Sequence, residues 1–353
     1  MQQQDHNTPT SGTINATDLT EHQLQHEQIQ TTYLSEQEQL PLIIQARSGG
    51  LDAYDWAIDN LPYLKEKLRR YGAILFRDFH VPTPADFERF ASLICPVLFR
   101  ENGEHVPANE VGNGNLYTPV FYAPEKKLLW HNENSFNATW PQNILFHCAY
   151  PADQGGETPI VDSRKVFQLL DPSIREVFLK KEIMYVRNYS DGGLGLPWQT
   201  VFRTSRKAEV ETMCLNDAIE FEWKDNKHLR TYQIRPAVIK HPETQESIWW
   251  NQAPHWHPAC LDPEVRDTLL SIYDPEDLPR NCFYGDGSII EDEVMDAICS
   301  AYQEVEVSFP WHAGDILVLD NMLAAHARNP FQGKRKIYVS MGNMITLKDL
   351  KQI

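Results

Sequence analysis

The chain has 353 residues, 42% of them hydrophobic and 23% charged, with a formal net charge of −17. Such a chain is an ordinary globular protein with room for a sizeable core. Its acidity disfavours phosphate backbones and anionic membrane surfaces as partners, and no apolar run approaches the roughly 20 residues that span a bilayer.

Residues 1–38 hold eight Gln, six acidic residues and no Lys or Arg. Apolar side chains are scattered there without period, so burial cannot offset the entropy of ordering. The expectation is a disordered, acidic, Gln-rich tail over 1–38 and a single domain over 39–353. The start MQQQDHNTPT has neither the basic opening nor the apolar stretch of a secretory signal. The six cysteines (Cys95, Cys148, Cys214, Cys260, Cys282 and Cys299) form no C-x-x-C pair. They read as small buried hydrophobes in a reduced, cytoplasmic setting.

Leu61, Leu64, Leu68 and Tyr71 keep helical spacing and Gly72 stands where that helix would stop. Ala73-Ile74-Leu75-Phe76 reads as a strand. Thr83-Pro84-Ala85-Asp86 reads as an N-cap, a first-turn proline and a capping-box acid ahead of Phe87, Phe90 and Ile94. Further helices are expected after Asp171-Pro172, after Asp262-Pro263 and from Glu293 to Tyr302. The rest is short and strand-like: 128–130, 144–146, 158–161, 248–250, 316–319 and 337–339, separated by Pro, Gly, Asn and Asp. Strand and helix do not alternate regularly, which argues against a doubly wound parallel sheet. The fold expected is mainly β, a double-stranded β-helix (jelly roll) with flanking helices and insertions.

The informative segment is Trp130-His131-Asn132-Glu133. On a strand, residues i and i+2 share a face, so His131 and Glu133 can reach one metal. His326, after the apolar run 316–319, can supply a third ligand. Two imidazoles and one carboxylate on one face of an octahedron suit iron(II), with three positions left for a bidentate cosubstrate and dioxygen. Thr158 in GGETPI and Arg335 in GKRKI add a hydroxyl and a guanidinium. That pair suits the distal carboxylate of 2-oxoglutarate, because a guanidinium grips a carboxylate with two charge-assisted bonds. Arg328, two residues from His326, is a second candidate for the anchor.

The stretches WHNENSF, NILFHCAYPADQGGETPIVD, LRTYQIRPAVIKHP, WWNQAPHWH and GDILVLDNMLAAHARNPFQGKRKIYVSM resemble the taurine-dioxygenase-like family of iron(II)/2-oxoglutarate oxygenases. The resemblance covers roughly residues 70 to 345. It implies the double-stranded β-helix, iron(II) on His131, Glu133 and His326, 2-oxoglutarate on Thr158 and Arg335, and dioxygen as second cosubstrate. Asn188, Trp198, Asn251 and Gln252 resemble positions that line the family's substrate pocket. Glu133, where Asp is commoner, resembles members that oxidise amino acids in natural-product biosynthesis.

The function expected is therefore hydroxylation of an unactivated C–H bond of a small substrate, an amino acid or derivative, free or tethered to a carrier protein. A desaturase or cyclase using the same oxidant, and a non-catalytic metal-binding jelly roll, are the alternatives. His255 and His257 form a rival metal pair by the same strand argument, although packing near the pocket mouth or capping a turn suits them better. His147, His241 and His312 read as structural. A halogenase is disfavoured, since it needs the carboxylate ligand absent. A hydrolytic zinc enzyme is disfavoured by the lack of an H-E-x-x-H signature.

Overall fold

The computed structural model describes residues 27–99, 109–111, 115–118, 122–190, 194–225 and 227–350. Its frame is an eight-stranded sheet in the order Ile29–Thr32, Leu42–Ala46, Ala73–Arg77, Ile316–Asp320, Thr139–Tyr150, Lys336–Thr346, Leu116–Thr118, Asn109–Val111. Only the pair Leu42–Ala46 with Ala73–Arg77 is parallel. Side-chain alternation sorts the central strands to two faces. Ile74, Phe76, Leu145, Ile316 and Val318 pack beneath the helices Ala53–Asp59, Leu61–Tyr71 and Pro84–Ile94. Leu75, Phe146, Leu317, Leu319 and Val339 point the other way, onto Ile160 and Ala324.

Those last two residues belong to a three-stranded sheet, ordered Leu128–His131, Ala324–Arg328, Ile160–Asp162. It closes the second layer of the jelly roll, and we call it the ligand sheet. A four-stranded sheet, ordered Glu220–Trp223, Leu229–Arg235, Ile183–Tyr189, Arg280–Tyr284, forms an insertion beside it. The expected helices are present. The first ends on Gly72 at φ 79°, and the next opens with the Thr83–Asp86 capping box.

The boundary expected at residue 38 is corrected. Ile29–Thr32 pairs antiparallel with Leu42–Ala46, the Tyr33 hydroxyl meets that of Tyr71 at 2.8 Å, and Glu38 binds Lys165 at 3.2 Å. An edge strand draws most of its stability from backbone pairing, so one buried side chain, Ile29, suffices where no apolar period exists. Residues 1–26 of the expected tail lie outside the described residues.

Candidate metal and cosubstrate site

The ligand sheet brings His131, Glu133 and His326 together. His326 stands opposite His131 on one side and opposite Ile160 on the other. The His131 and His326 rings are 4.2 Å apart between centroids, and one potential ligand atom from each of the three side chains lies within 4.8 Å of the others. Both imidazoles are buried and Glu133 is half-buried.

Each of the three is held differently. His131 Nδ1 lies 2.9 Å from the carbonyl oxygen of Leu129. A carbonyl only accepts, so Nδ1 carries the proton and Nε2 keeps its lone pair for a metal, the usual way an outer hydrogen bond fixes the tautomer of a ligand. His326 is pushed well below the ordinary imidazole pKa, first by burial and then by His131 beside it, which keeps it neutral. Its buried Nδ1 has no hydrogen-bond partner among the described residues. Buried polar atoms are seldom left so, and a neutral imidazole with an orphaned nitrogen fits a metal.

Glu133 lies beyond the end of the strand Leu128–His131, so alternation along a strand does not place it. Asn321 does. Its Oδ1 accepts from the Glu133 amide at 2.7 Å, and its Nδ2 donates to the Glu133 carbonyl at 3.0 Å and to the Pro141 carbonyl at 2.8 Å. Asn132, between the two candidate ligands, donates to the Asn321 carbonyl at 2.7 Å, and Gln252 Nε2 donates to the Asn132 carbonyl at 2.9 Å. Asp320 caps the same turn by accepting from the amides of Met322 and Leu323, and accepts from His241 Nε2 at 3.1 Å. His241 is thus structural, as expected.

Thr158 and Arg335 also meet. The ladder beside His326 continues through the Ala327 amide to the Pro159 carbonyl and the Asn329 amide to the Glu157 carbonyl. Thr158 therefore lies two residues along from Ile160, the partner of His326. Arg335 Nη2 is 3.4 Å from Thr158 Oγ1, and its Nε donates to the Gly156 carbonyl at 2.8 Å. Burial lowers its guanidinium to about 10. Arg328 is occupied elsewhere: it donates to the carbonyls of Tyr122, Ala123 and Lys126. That leaves Arg335 the better placed of the two.

The other candidates sit as follows. Asn188 donates to the carbonyls of Glu276 and Leu278 and accepts from Arg230. Trp198 lies in an apolar cluster with Tyr189, Phe202 and Val210. Asn251 caps the turn at Ala253. The structure brings none of these three to the triad, whereas Gln252 reaches it through Asn132.

The rival pair is separated. His257 accepts from the Ala259 amide and donates to the Ile290 carbonyl. His255 lies on a helical turn with its ring 4.4 Å from that of His131, and its Nε2 donates to the same Leu129 carbonyl at 2.6 Å. Sequence reasoning gave no role to Asn321, and placed His255 near the pocket mouth or at a turn without linking it to His131. Asn321 followed an apolar strand within the quoted motif, but nothing local says that a side chain will clamp a backbone 188 residues away.

A family model described as taurine catabolism dioxygenase TauD, TfdA family, matches residues 34–341. The chain belongs to this family. It is an iron(II)/2-oxoglutarate-dependent dioxygenase, with dioxygen as cosubstrate. Among its relatives, the dapdiamide synthesis protein DdaC of Enterobacter agglomerans is 38% identical, over 79% of this chain and 84% of that protein. A clavaminate synthase-like protein of Arabidopsis thaliana is 26% identical over the same shares. Among solved structures, PvcB from Pseudomonas aeruginosa superposes with a TM-score of 0.53 at 15% identity, covering 90% of this chain and 91% of that one. A taurine dioxygenase from Burkholderia xenovorans gives 0.50 at 15%, covering 91% and 92%. These superpositions agree with the jelly-roll core. No described helix is long and apolar enough to cross a membrane.

Proposed function

We propose that this oxygenase hydroxylates an unactivated C–H bond of a free amino acid or close derivative in specialised metabolism. In this reading His131, Glu133 and His326 hold the iron, and Arg335 with Thr158 holds the distal carboxylate of 2-oxoglutarate. The observation that carries it is the convergence of the three ligand atoms within 4.8 Å, beside a ladder that leads to the Thr158–Arg335 pair. When bound, iron(II) with 2-oxoglutarate and dioxygen supplies the oxidising chemistry, which belongs to the cofactor rather than to the protein.

The chain's own residues do the positioning. The Leu129 carbonyl fixes the His131 tautomer, Asn321 fixes the backbone that carries Glu133, and burial keeps His326 unprotonated. Arg335 and Thr158 offer donors to a carboxylate, and Trp311 Nε1 orients the Thr158 hydroxyl from 3.2 Å. Phe146, edge-on to His326 at 5.1 Å, narrows access of water to that ligand.

The substrate class is supported by the His-x-Glu form and by a relative named for dapdiamide synthesis at 38% identity. A free substrate is favoured over a carrier-bound one because carrier proteins are usually acidic and this chain carries −17, and like charges slow encounter. A cytoplasmic setting is part of the reading, supported by six cysteines of which none is in a disulfide. The test offers a panel of free amino acids and their carrier-bound thioesters to iron-loaded enzyme with 2-oxoglutarate and air. Mass spectrometry should find a free amino acid one oxygen heavier. Oxidation of tethered forms alone would reverse the lean, a product two hydrogens lighter would make it a desaturase, and oxidation of neither would remove the substrate class.

A further inference from the structure

The strand that carries His131 is irregular where it meets the strand of His326. His131 pairs with His326 and Leu128 with Arg328, so three steps along one strand run against two along the other, and the register shifts between them. A bulge of this kind interrupts the ladder and re-aims the groups it carries. Leu129 lies in that stretch, and its carbonyl is the one that accepts from His131 Nδ1 at 2.9 Å. The acceptor that sets the tautomer of His131 thus sits on backbone that the ladder alone does not hold in register.

A second donor reaches the same oxygen. His255 Nε2 donates to the Leu129 carbonyl at 2.6 Å, and its ring lies 4.4 Å from that of His131. A carbonyl oxygen has two lone pairs and can take both imidazoles. The turn that presents His255 is itself pinned. The Gln252 amide donates to the Tyr185 hydroxyl at 3.0 Å and the Ala253 amide to Asn251 Oδ1 at 3.1 Å. Trp256 packs on Phe136 and Tyr185, with ring centroids 5.2 and 5.1 Å apart. From the same turn Gln252 Nε2 donates to the Asn132 carbonyl at 2.9 Å. One turn therefore grips the backbone on both sides of His131, two residues before it through His255 and one residue after it through Gln252.

We propose that His255 is a positioning residue for His131: the hydrogen bond it donates holds the Leu129 carbonyl in the direction that keeps the His131 ring aimed at the metal. This rests on the reading above that His131, Glu133 and His326 hold the iron. His255 is not one of the three side chains whose ligand atoms converge, so it acts through the carbonyl. Without its bond the bulged peptide is free to turn, and the His131 Nδ1 proton loses a fixed acceptor. Outer partners of metal-bound imidazoles are worth about tenfold to a hundredfold in metal affinity. The role asks for a donor and not for a charge, so an uncharged amide of similar reach can fill it.

The test uses the full chain with cobalt(II) as the probe, its affinity measured by competition with a chelating dye. His255→Phe keeps a ring and removes the donor, and should weaken cobalt(II) binding about tenfold to a hundredfold. His255→Gln, which restores a donor, should recover most of the loss, while both variants keep similar melting temperatures without metal. If the phenylalanine variant does not fold, His255→Leu takes its place. Long-range proton–nitrogen spectra of the metal-free wild type add a second readout: His131 should carry its proton on Nδ1 and His255 on Nε2. Wild-type affinity in His255→Phe, an equal loss in His255→Phe and His255→Gln, or a His255 protonated on Nδ1 alone would each overturn the proposal. Cobalt(II) bound as tightly by His131→Ala as by the wild type would instead strike the metal assignment on which it rests, and the proposal with it.

Discussion

The ligand sheet and the insertion sheet both carry polar side chains among their strands, but they treat them differently. In the ligand sheet the polar groups bind one another. The Leu129 carbonyl receives two imidazoles, Asn321 takes both ends of the Glu133 peptide, and Asp320 holds the turn before His326. In the insertion sheet the polar groups lie along the strands instead: Arg187 stands opposite Arg280, and Arg230 reaches Asn188 and Asp277. A network tied together across the turn in the first way makes a rigid platform, as a metal requires. The comparison sets the proposed metal platform apart from the sheet packed beside it.

The comparison breaks most visibly if the platform is not where the metal binds. His131→Ala and His326→Ala should each reduce succinate formation to background while circular dichroism and melting temperature stay close to wild type. Turnover like wild type in either variant would remove the triad. Next in size is the clamp. Asn321→Ala leaves the Glu133 amide and two carbonyls without their partner, and a buried group left so costs about 1–3 kcal/mol. Metal affinity in that variant should fall roughly tenfold to a hundredfold. Unchanged affinity, measured by competition with a chelating dye, would show that Glu133 needs no such support.

Arg335→Ala should raise the Michaelis constant for 2-oxoglutarate about tenfold to a hundredfold. Arg328→Ala should leave that constant near wild type and lower the melting temperature, because its guanidinium binds three carbonyls. The opposite pattern would exchange their roles. Smaller still is the effect expected of Asn188→Ala. Its amide links Arg230 to the Glu276–Leu278 segment, so stability should fall by ~1 kcal/mol with no change in substrate affinity. A selective loss of substrate binding would return Asn188 to the pocket.

Legibility follows the same division. The ligand-sheet residues could be read because their spacing is tied to chemistry: one residue between His131 and Glu133, then an apolar strand and a third candidate ligand. The apolar strands 73–77 and 316–320 were plain from their runs Ala-Ile-Leu-Phe and Ile-Leu-Val-Leu. The insertion strands were not. In Ile183–Tyr189 and Leu229–Arg235 the inward positions include Arg187, Thr231, Gln233 and Arg235, all buried, so the hydrophobic alternation that marks a strand is absent. The strand Ile29–Thr32 was hidden for another reason, since backbone pairing does the work that side chains do elsewhere. Removing residues 1–38 should therefore lower the melting temperature by several degrees, whereas removing 1–26 should leave it unchanged. Equal melting temperatures for the two truncations would restore the boundary at residue 38.

The central claim is that His131, Glu133 and His326 hold the iron while Arg335 holds the cosubstrate. A crystal structure of the full chain with manganese(II) and 2-oxoglutarate tests it most directly. The account predicts an anomalous peak bonded to His131, Glu133 and His326, with the distal carboxylate of 2-oxoglutarate on Arg335 and Thr158. A peak bonded elsewhere, or a carboxylate seated on Arg328, would contradict it.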